Sequence, residues 1–310
     1  MSQLHAAGTL KDDTMWSGMM TNRWMVSWSA TLLAGYLALT GCAAAEEAQG
    51  SLQIKGSDTM VNLCQAWAEA FMAKHPKVSV AVTGGGSGTG IAALIGGTCD
   101  LAAASRKMTP KEIEAASAKG APPQEWTVAL DGLSVAIHPQ NPVKRLTLEQ
   151  LAGLFTGKIR KWSELGGPNK AVVLLSREVN SGTHVYFKEH VLSASMSGLK
   201  EFAPEALLLP SSQAIADEVA TNPSAIGYYG MGYENPNNAV AAVAKTAADP
   251  YITPSEESVR SGTYPISRPL FLYSRGTPGA VVKTFLNFVM SSEGQEVVRQ
   301  IDFVPIKGAQ

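Results

Sequence analysis

Residues 176–183, with the sequence SREVNSGT, are of the types that bind small anions. They follow an apolar run at 171–175 that predicts a buried strand, and they precede residues 184–192, which predict a helix. A guanidinium at the strand end would then face hydroxyl groups and free backbone N–H groups at the helix start. These groups, the helix dipole and a bidentate grip by Arg favour a bound oxyanion. The candidate ligands are Arg177, Ser181, Gly182 and Thr183.

A second strand-to-helix junction lies nearer the start of the chain. Residues 51–55 alternate like a short strand, and apolar residues between 60 and 71 recur with the spacing of an amphipathic helix. Between the two stand Ser57, Asp58 and Thr59, which are all good capping residues. At both junctions the alternative to an anion site is ordinary helix capping, with Arg177 in a surface ion pair.

A third junction is rich in glycine. Residues 78–82 predict a strand, and the loop TGGGSGTG at 83–90 separates it from the apolar residues 91–95. Glycine allows backbone N–H groups to approach a ligand closely. The loop lacks the Lys-Ser/Thr of a P-loop and the G-x-G-x-x-G of a dinucleotide site, and Ser87 does not stand in a nucleophile elbow. The alternative is a flexible loop without a ligand.

A fourth short strand is predicted at 100–104, and it ends at Ser105 and Arg106. The residues at 109–112, TPKE, form a capping box that opens the next helix. Arg106 is either a second anion ligand or a surface charge. Ligands of α/β proteins bind outside the carboxyl ends of strands, so four such ends indicate one shared site for a small anion.

The chain closely resembles the periplasmic phosphate-binding proteins of the bacterial phosphate ABC transporter, the PstS type, over about 52–306. The matching pieces are KGSDTM (55–60), TGGGSGTGI (83–91), CDLAAASRKM (99–108), ALDGLSVAIHPQNPV (129–143), LTLEQLAGLFTGKIRKWSELGG (146–167), REVNSGT (177–183), NPSAIGYYGMGY (222–233) and YPISRPLFLY (264–273). The resemblance implies a two-lobed α/β type II periplasmic-binding-protein fold with two crossing hinge segments. It also implies a monomeric receptor that binds inorganic phosphate, delivers it to an ABC permease, needs no cofactor and is not an enzyme.

In that family the phosphate is bound by a Thr, by the backbone of the residue after it and by a Ser of the Gly-rich loop. Here these positions correspond to Thr59, Met60 and Ser87. The family's second-lobe motif, Arg-x-x-x-Ser-Gly-Thr, occurs at identical spacing as Arg177, Ser181, Gly182 and Thr183.

One position departs from the family pattern. The best-studied members carry Ser-Asp after the fourth strand, and that Asp accepts the proton of the phosphate. Here Ser105 stands in its place, followed by Arg106, as in another branch of the family. Asp58 is the nearest substitute in sequence.

There are alternatives to phosphate transport. The missing Asp leaves open a receptor for sulfate or molybdate, and the same fold could also serve a phosphate sensor or surface protein. A more remote one is a secreted serine phosphatase using Ser181 or Ser87 with His184, although no acidic orienter is recognisable.

Composition narrows the function classes. The chain has 310 residues, 45% of them hydrophobic, and a net charge of −1. It has no Lys/Arg-rich run, so we expect no nucleic-acid binding. The five histidines do not have metal-ligand spacing, so we expect no metal.

The N-terminal region predicts export. An apolar stretch at 24–39 follows Arg23 and is short for a spanning helix, but it fits the core of a signal peptide. Residues 39–42, LTGC, match a lipobox, which implies a signal peptide over 1–41 and a lipid on Cys42. The protein would then be periplasmic or on the cell surface and would meet the membrane only through that anchor. The alternative is an ordinary signal peptide cut after Ala-x-Ala near 43–45.

The remaining chain is divided as follows. Residues 42–50 are a linker, 51–132 and 232–310 form a discontinuous first lobe, and 133–231 form the second lobe. The polar stretch at 235–262 is expected to consist of long loops. Cys64 and Cys99 either form a disulfide or are small buried hydrophobic residues.

Overall fold

The structure, a computed structural model, describes residues 49–193 and 201–306. The predictions for the signal peptide and for Cys42 lie outside these residues. Its strands are β1 Gly50–Gly56, β2 Val78–Thr83, β3 Leu101–Ala104, β4 Pro123–Ile137, β5 Arg145–Thr147, β6 Val173–Arg177, β7 Leu207–Leu209, β8 Ala225–Gly230, β9 Ala239–Ala244 and β10 Ser267–Arg275. Its helices are α1 Val61–Lys74, α2 Ser87–Gly96, α3 Pro110–Ala118, α4 Leu148–Phe155, α5 Gly182–Phe187, α6 Ser212–Thr221, α7 Glu256–Arg260, α8 Ala280–Met290 and α9 Ser292–Gln300.

The strands follow the order β2-β1-β3-β10-β4-β8-β6-β7, with β9 pairing β4 and β5. Strands β1, β2 and β3 are parallel because the helices α1 and α2 connect them, whereas β10 runs antiparallel to β3 and β4. The carboxyl ends of β1, β2 and β3 therefore meet at one edge of the sheet.

Strand β4 is 15 residues long and connects two parts of the sheet. It pairs with β10 as far as Gly132, and from Leu133 onward it pairs with β8. The chain returns next to this point, where β8 ends at Gly230. The protein therefore has the two-lobed α/β type II periplasmic-binding-protein fold, with β4 and the segment after β8 as its two crossing segments.

Two large apolar clusters form the core; each lies mainly in one lobe and extends into the other. In the first, α1 packs Trp67 and Phe71 against the sheet, and the Trp67 indole N–H donates to the Gly294 carbonyl at 2.7 Å. In the second, Phe155 and Phe187 pack with Tyr228, whose ring stacks on Phe187 at a centroid distance of 3.9 Å. Close packing of these side chains makes each part of the core rigid, so the strands that end at the site have fixed positions.

One prediction from the sequence is wrong. The stretch at 235–262 contains strand β9 and helix α7 as well as loops. Of the two alternatives for the cysteines, the structure agrees with the second, because Cys64 and Cys99 are both free and buried. Burial raises the pKa of the Cys64 thiol to about 12 and that of Cys99 to about 11, so both are small hydrophobic groups with unreactive thiols.

Among the residues that the structure describes, no helix has both the length and the apolar character needed to cross a membrane.

Candidate functional site

The four predicted strand ends are brought together between the lobes. In the first lobe, Ser57, Ser87 and Ser105 follow β1, β2 and β3, and each of them is almost fully buried. In the second lobe, β6 ends at Arg177, and the helix α5 begins at Gly182. Strand β6 lies two residues further along than the sequence predicts, so Arg177 is its last residue. The strand ends that the sequence predicts therefore lie next to one another, as expected for a shared site.

Gly182 packs directly against two serines of the first lobe. The Ser105 backbone N–H donates to Ser87 Oγ at 3.0 Å, and the two serine hydroxyls are 3.3 Å apart. A Cβ atom on Gly182 would lie 2.3 Å from Ser87 Oγ and 2.6 Å from Ser105 Oγ. Only glycine permits the lobes to approach this closely. Because the first N–H groups of a helix have no partner within it, Ser87 and Gly182 present donors here.

Two threonine hydroxyls also meet across the cleft. Thr59 Oγ1 and Thr183 Oγ1 are 2.7 Å apart, and both residues are buried. Met60 lies beside Thr59, but its backbone N–H donates to the Ser57 carbonyl at 3.0 Å. The expected backbone contact from Met60 to the anion would require that bond to be given up. The hydroxyl of Ser57 caps no helix.

Ser181 has a local role as well as a predicted one. Its Oγ accepts from the backbone N–H groups of Thr183 and His184, at 3.2 and 3.5 Å, which caps α5. These bonds use the lone pairs of the hydroxyl, so its proton remains available for an anion. Capping thus converts Ser181 into a donor, and the two interpretations of this residue are compatible.

The guanidinium of Arg177 is buried and mostly occupied. It donates to Asp58 Oδ2 at 2.8 Å, to Ser212 Oγ at 3.0 Å and to the carbonyls of Pro210 and Leu209 at 2.9 and 3.3 Å. Four of its five N–H groups therefore have acceptors among the described residues. Burial lowers the pKa of Arg177, and Asp58 opposes that shift. The expected bidentate grip on an anion would require Arg177 to release one of these partners.

Two other predicted residues are engaged in ion pairs. Asp58 accepts from Arg177 through Oδ2 and from the Gly85 backbone N–H through Oδ1 at 2.8 Å, so it links the Gly-rich loop to the second lobe. Arg106 donates to both oxygens of Glu112, each at 2.8 Å. It lines a cavity of about 380 Å³ together with Ser105. Asp58 thus orients Arg177, and Arg106 is directed towards α3.

Sequence reasoning missed a second buried ion pair at the same place. Arg268 of β10 lies opposite Asp131 of β4 and donates to its Oδ2 through Nε at 3.1 Å and Nη2 at 2.9 Å. Arg268 Nη2 also donates to Thr183 Oγ1 at 2.9 Å. Burial raises the pKa of Asp131, although Arg268 opposes the shift. The signal in the sequence was a single charged residue within each of two otherwise uncharged runs, Asp131 in 126–137 and Arg268 in 261–274.

Asn180 connects the Gly-rich loop to the second lobe. Its side-chain N–H groups donate to the Gly85 carbonyl at 2.9 Å and to Thr89 Oγ1 at 3.3 Å, and its backbone carbonyl accepts from the Gly88 N–H at 3.0 Å. These contacts join the lobes only when the cleft is closed. Asn180 was not among the residues predicted for the site.

We expect Asn180→Ala to weaken ligand binding about fivefold, because a hydrogen bond contributes on the order of 1 kcal/mol. The change should appear mainly as faster dissociation, which stopped-flow measurements would detect. Gln213→Ala is the matched control, since that amide bonds Asp217 within α6. Equal dissociation rates for Asn180→Ala and the native protein would show that this contact does not favour closure.

The site as a whole offers hydroxyl and N–H donors from both lobes, with two guanidinium groups whose charges are offset by carboxylates. Such an arrangement suits a small, dehydrated oxyanion. It does not suit nucleophilic catalysis. In the part of the chain that the structure describes, the His184 ring contacts Ser176 Oγ and the Arg177 carbonyl through Nδ1, at 3.3 and 2.8 Å, and neither Ser181 nor Ser87 forms a hydrogen bond with that ring.

Comparison with known proteins agrees with this geometry. Residues 43–293 match the PBP superfamily domain. Phosphate-binding protein PstS of Pseudomonas aeruginosa is 33% identical over 274 residues, 83% of this chain and 83% of that protein. PstS of Bacillus subtilis is 30% identical over 262 residues, 84% and 82% of the two chains.

A solved structure is also similar. It is a candidate phosphate ABC transporter substrate-binding protein of Clostridium perfringens with bound phosphate. It has a TM-score of 0.75 at 31% identity, over 83% of this chain and 100% of that chain. The chain therefore belongs to the PBP superfamily and, within it, to the PstS family of phosphate-binding proteins.

Proposed function

We propose that this protein is a high-affinity receptor for inorganic phosphate that delivers its ligand to an ABC importer. The observation that carries the proposal is the convergence of buried hydroxyls from both lobes, with Thr59 and Thr183 in direct contact. The names of the relatives support the same ligand and the same kind of partner, since they include phosphate-binding proteins and an ABC-type phosphate transport receptor from Vibrio cholerae. The protein is a solute-binding protein and not an enzyme.

Binding and closure are coupled in this proposal. Phosphate would accept hydrogen bonds from Ser87 and Thr59 of the first lobe and from Ser181, Gly182 and Thr183 of the second. Only the closed state offers both sets of donors, so the ligand shifts the population towards it. The change of strand partners between Gly132 and Leu133 supports the division into lobes at 51–132 with 232–310 and at 133–231. A monomer suffices for this mechanism.

Selectivity is the finer part of the proposal. Ser105 stands where the best-studied relatives have the proton-accepting Asp, and both oxygens of Asp58 already accept hydrogen bonds. We therefore assign Asp58 the role of orienting Arg177. A receptor for sulfate or molybdate is the alternative. Such a receptor would bind that anion more tightly than phosphate.

Isothermal titration of ligand-stripped protein with phosphate, sulfate, arsenate and molybdate tests the function. We expect phosphate to bind most tightly, with arsenate competing because its shape and protonation are similar. Absence of phosphate binding by a folded sample would refute the proposal. Tighter binding of sulfate or molybdate would favour the alternative.

The export and anchoring of the protein are also proposals. Cys42 completes the lipobox-like sequence LTGC, so we expect lipid on its thiol and a periplasmic or cell-surface location. Cys42→Ser should release the mature protein into the soluble fraction and prevent labelling with a radioactive fatty acid. Labelling that persists in the variant would place the anchor on another residue.

A further inference from the structure

The buried pair of Arg268 and Asp131 is built around the oxyanion site. The two residues are direct partners in the antiparallel pairing of β10 and β4, and both are almost completely buried. Asp131 Oδ2 accepts two bonds from the guanidinium, and Oδ1 accepts from the Met231 backbone N–H at 3.1 Å. Asp131 therefore fixes the plane of the guanidinium and ties it to both crossing segments.

The remaining donors of Arg268 reach both lobes. Its Nη1 donates to the Ser105 carbonyl at 3.0 Å in the first lobe, and its Nη2 donates to Thr183 Oγ1 at 2.9 Å in the second. Both acceptors belong to residues of the oxyanion site. Arg268 of the first lobe thus donates a charged hydrogen bond across the cleft to Thr183. Arg177 of the second lobe donates one in the opposite direction, to Asp58.

The bond from Arg268 also determines which hydrogen bonds the Thr183 hydroxyl can form. A guanidinium only donates, so Thr183 Oγ1 is the acceptor in this bond. Thr59 Oγ1 is 2.7 Å from Thr183 Oγ1, and one of the two hydroxyls must donate to the other. In either direction, one hydroxyl proton of the pair is free while the two oxygens are in contact, and both protons become available once an anion separates them. Arg268 holds Thr183 in place in either case. Asp131 offsets the positive charge of Arg268, so the main contribution of Arg268 to anion binding is the orientation of Thr183.

We propose that Arg268 is a positioning residue of the oxyanion site, which clamps the closed lobes together and orients the Thr183 hydroxyl as part of the donor set. This inference rests on the proposed function, because it concerns the same ligand. Asp131 holds the Arg268 guanidinium in the orientation that this role requires.

A double-mutant cycle with Arg268→Lys and Thr183→Val tests the clamp. Lys keeps the charge next to Asp131 but lacks the planar fork that reaches Asp131, Ser105 and Thr183 together. We expect Arg268→Lys to weaken phosphate binding about tenfold, mostly through faster dissociation, because charged hydrogen bonds are strong. In the Thr183→Val background, Arg268→Lys should have little further effect, since its acceptor is already gone.

The control separates positioning from loss of stability. Gln295 is buried outside the cleft and donates to the carbonyls of Val128 and Val289, so Gln295→Met should lower the melting temperature without changing the dissociation constant. Native affinity in Arg268→Lys, or full additivity with Thr183→Val, would overturn the inference. Failure of the native protein to bind phosphate would instead refute the proposed function.

Discussion

Arg177→Met should remove high-affinity phosphate binding while the protein remains folded. Arg177 has one N–H without an acceptor among the described residues, and a charge-assisted bond from it to phosphate would contribute about 1.5–3 kcal/mol, so the dissociation constant should rise at least about tenfold. The variant also leaves Asp58 without its partner of 2.8 Å, next to an anion that the carboxylate would repel. Titration calorimetry measures the affinity, and circular dichroism checks the fold.

The double variant Arg177→Met with Asp58→Asn separates the two causes. Neutralising Asp58 removes the repulsion, so we expect part of the lost affinity to return. If the double variant binds as weakly as Arg177→Met, the direct contribution of the guanidinium accounts for the whole loss. An unchanged dissociation constant in Arg177→Met would place the anion elsewhere.

Gly182→Ala should prevent closure without disturbing either lobe. The added Cβ would lie 2.3 Å from Ser87 Oγ and 2.6 Å from Ser105 Oγ, and those atoms belong to the opposite lobe. Overpacking of this kind costs about 1–3 kcal/mol, which corresponds to a loss of affinity of roughly fivefold to 150-fold. Since the open state is unaffected, the melting temperature without ligand should stay native, but added phosphate should raise it much less.

Gly96→Ala is the matched control for this variant. Gly96 is in α2, and a Cβ there would meet no atom within 4 Å. It should bind phosphate with native affinity. Native stabilisation by phosphate in Gly182→Ala would mean that the lobes do not close as the structure describes.

Much of the site could be predicted because strand ends leave local signals. The capping residues and glycines that follow β1, β2 and β6 are contiguous in sequence, and parallel strands present such ends at one edge. The boundaries of α6 at Ser212 and Thr221 likewise have local causes, since Ser211 caps the helix and Pro223 follows it. Local chemistry thus identified residues that the fold brings together between the lobes.

The partners of those residues could not be predicted. Arg268 and Asp131 are 137 residues apart, and only the register between β10 and β4 brings them together. The engagement of Arg177 by Asp58 likewise depends on the closed arrangement of the lobes. Sequence patterns report which face a residue occupies, but they do not report strand register or the contacts between lobes.

A crystal structure of the protein with phosphate tests the central claim most directly. We expect the ion between the lobes, within hydrogen-bonding distance of Ser87 and Thr59 on one side and of Ser181 and Thr183 on the other. An ion held by one lobe alone, or bound at a different place while these hydroxyls remain paired with each other, would contradict the account.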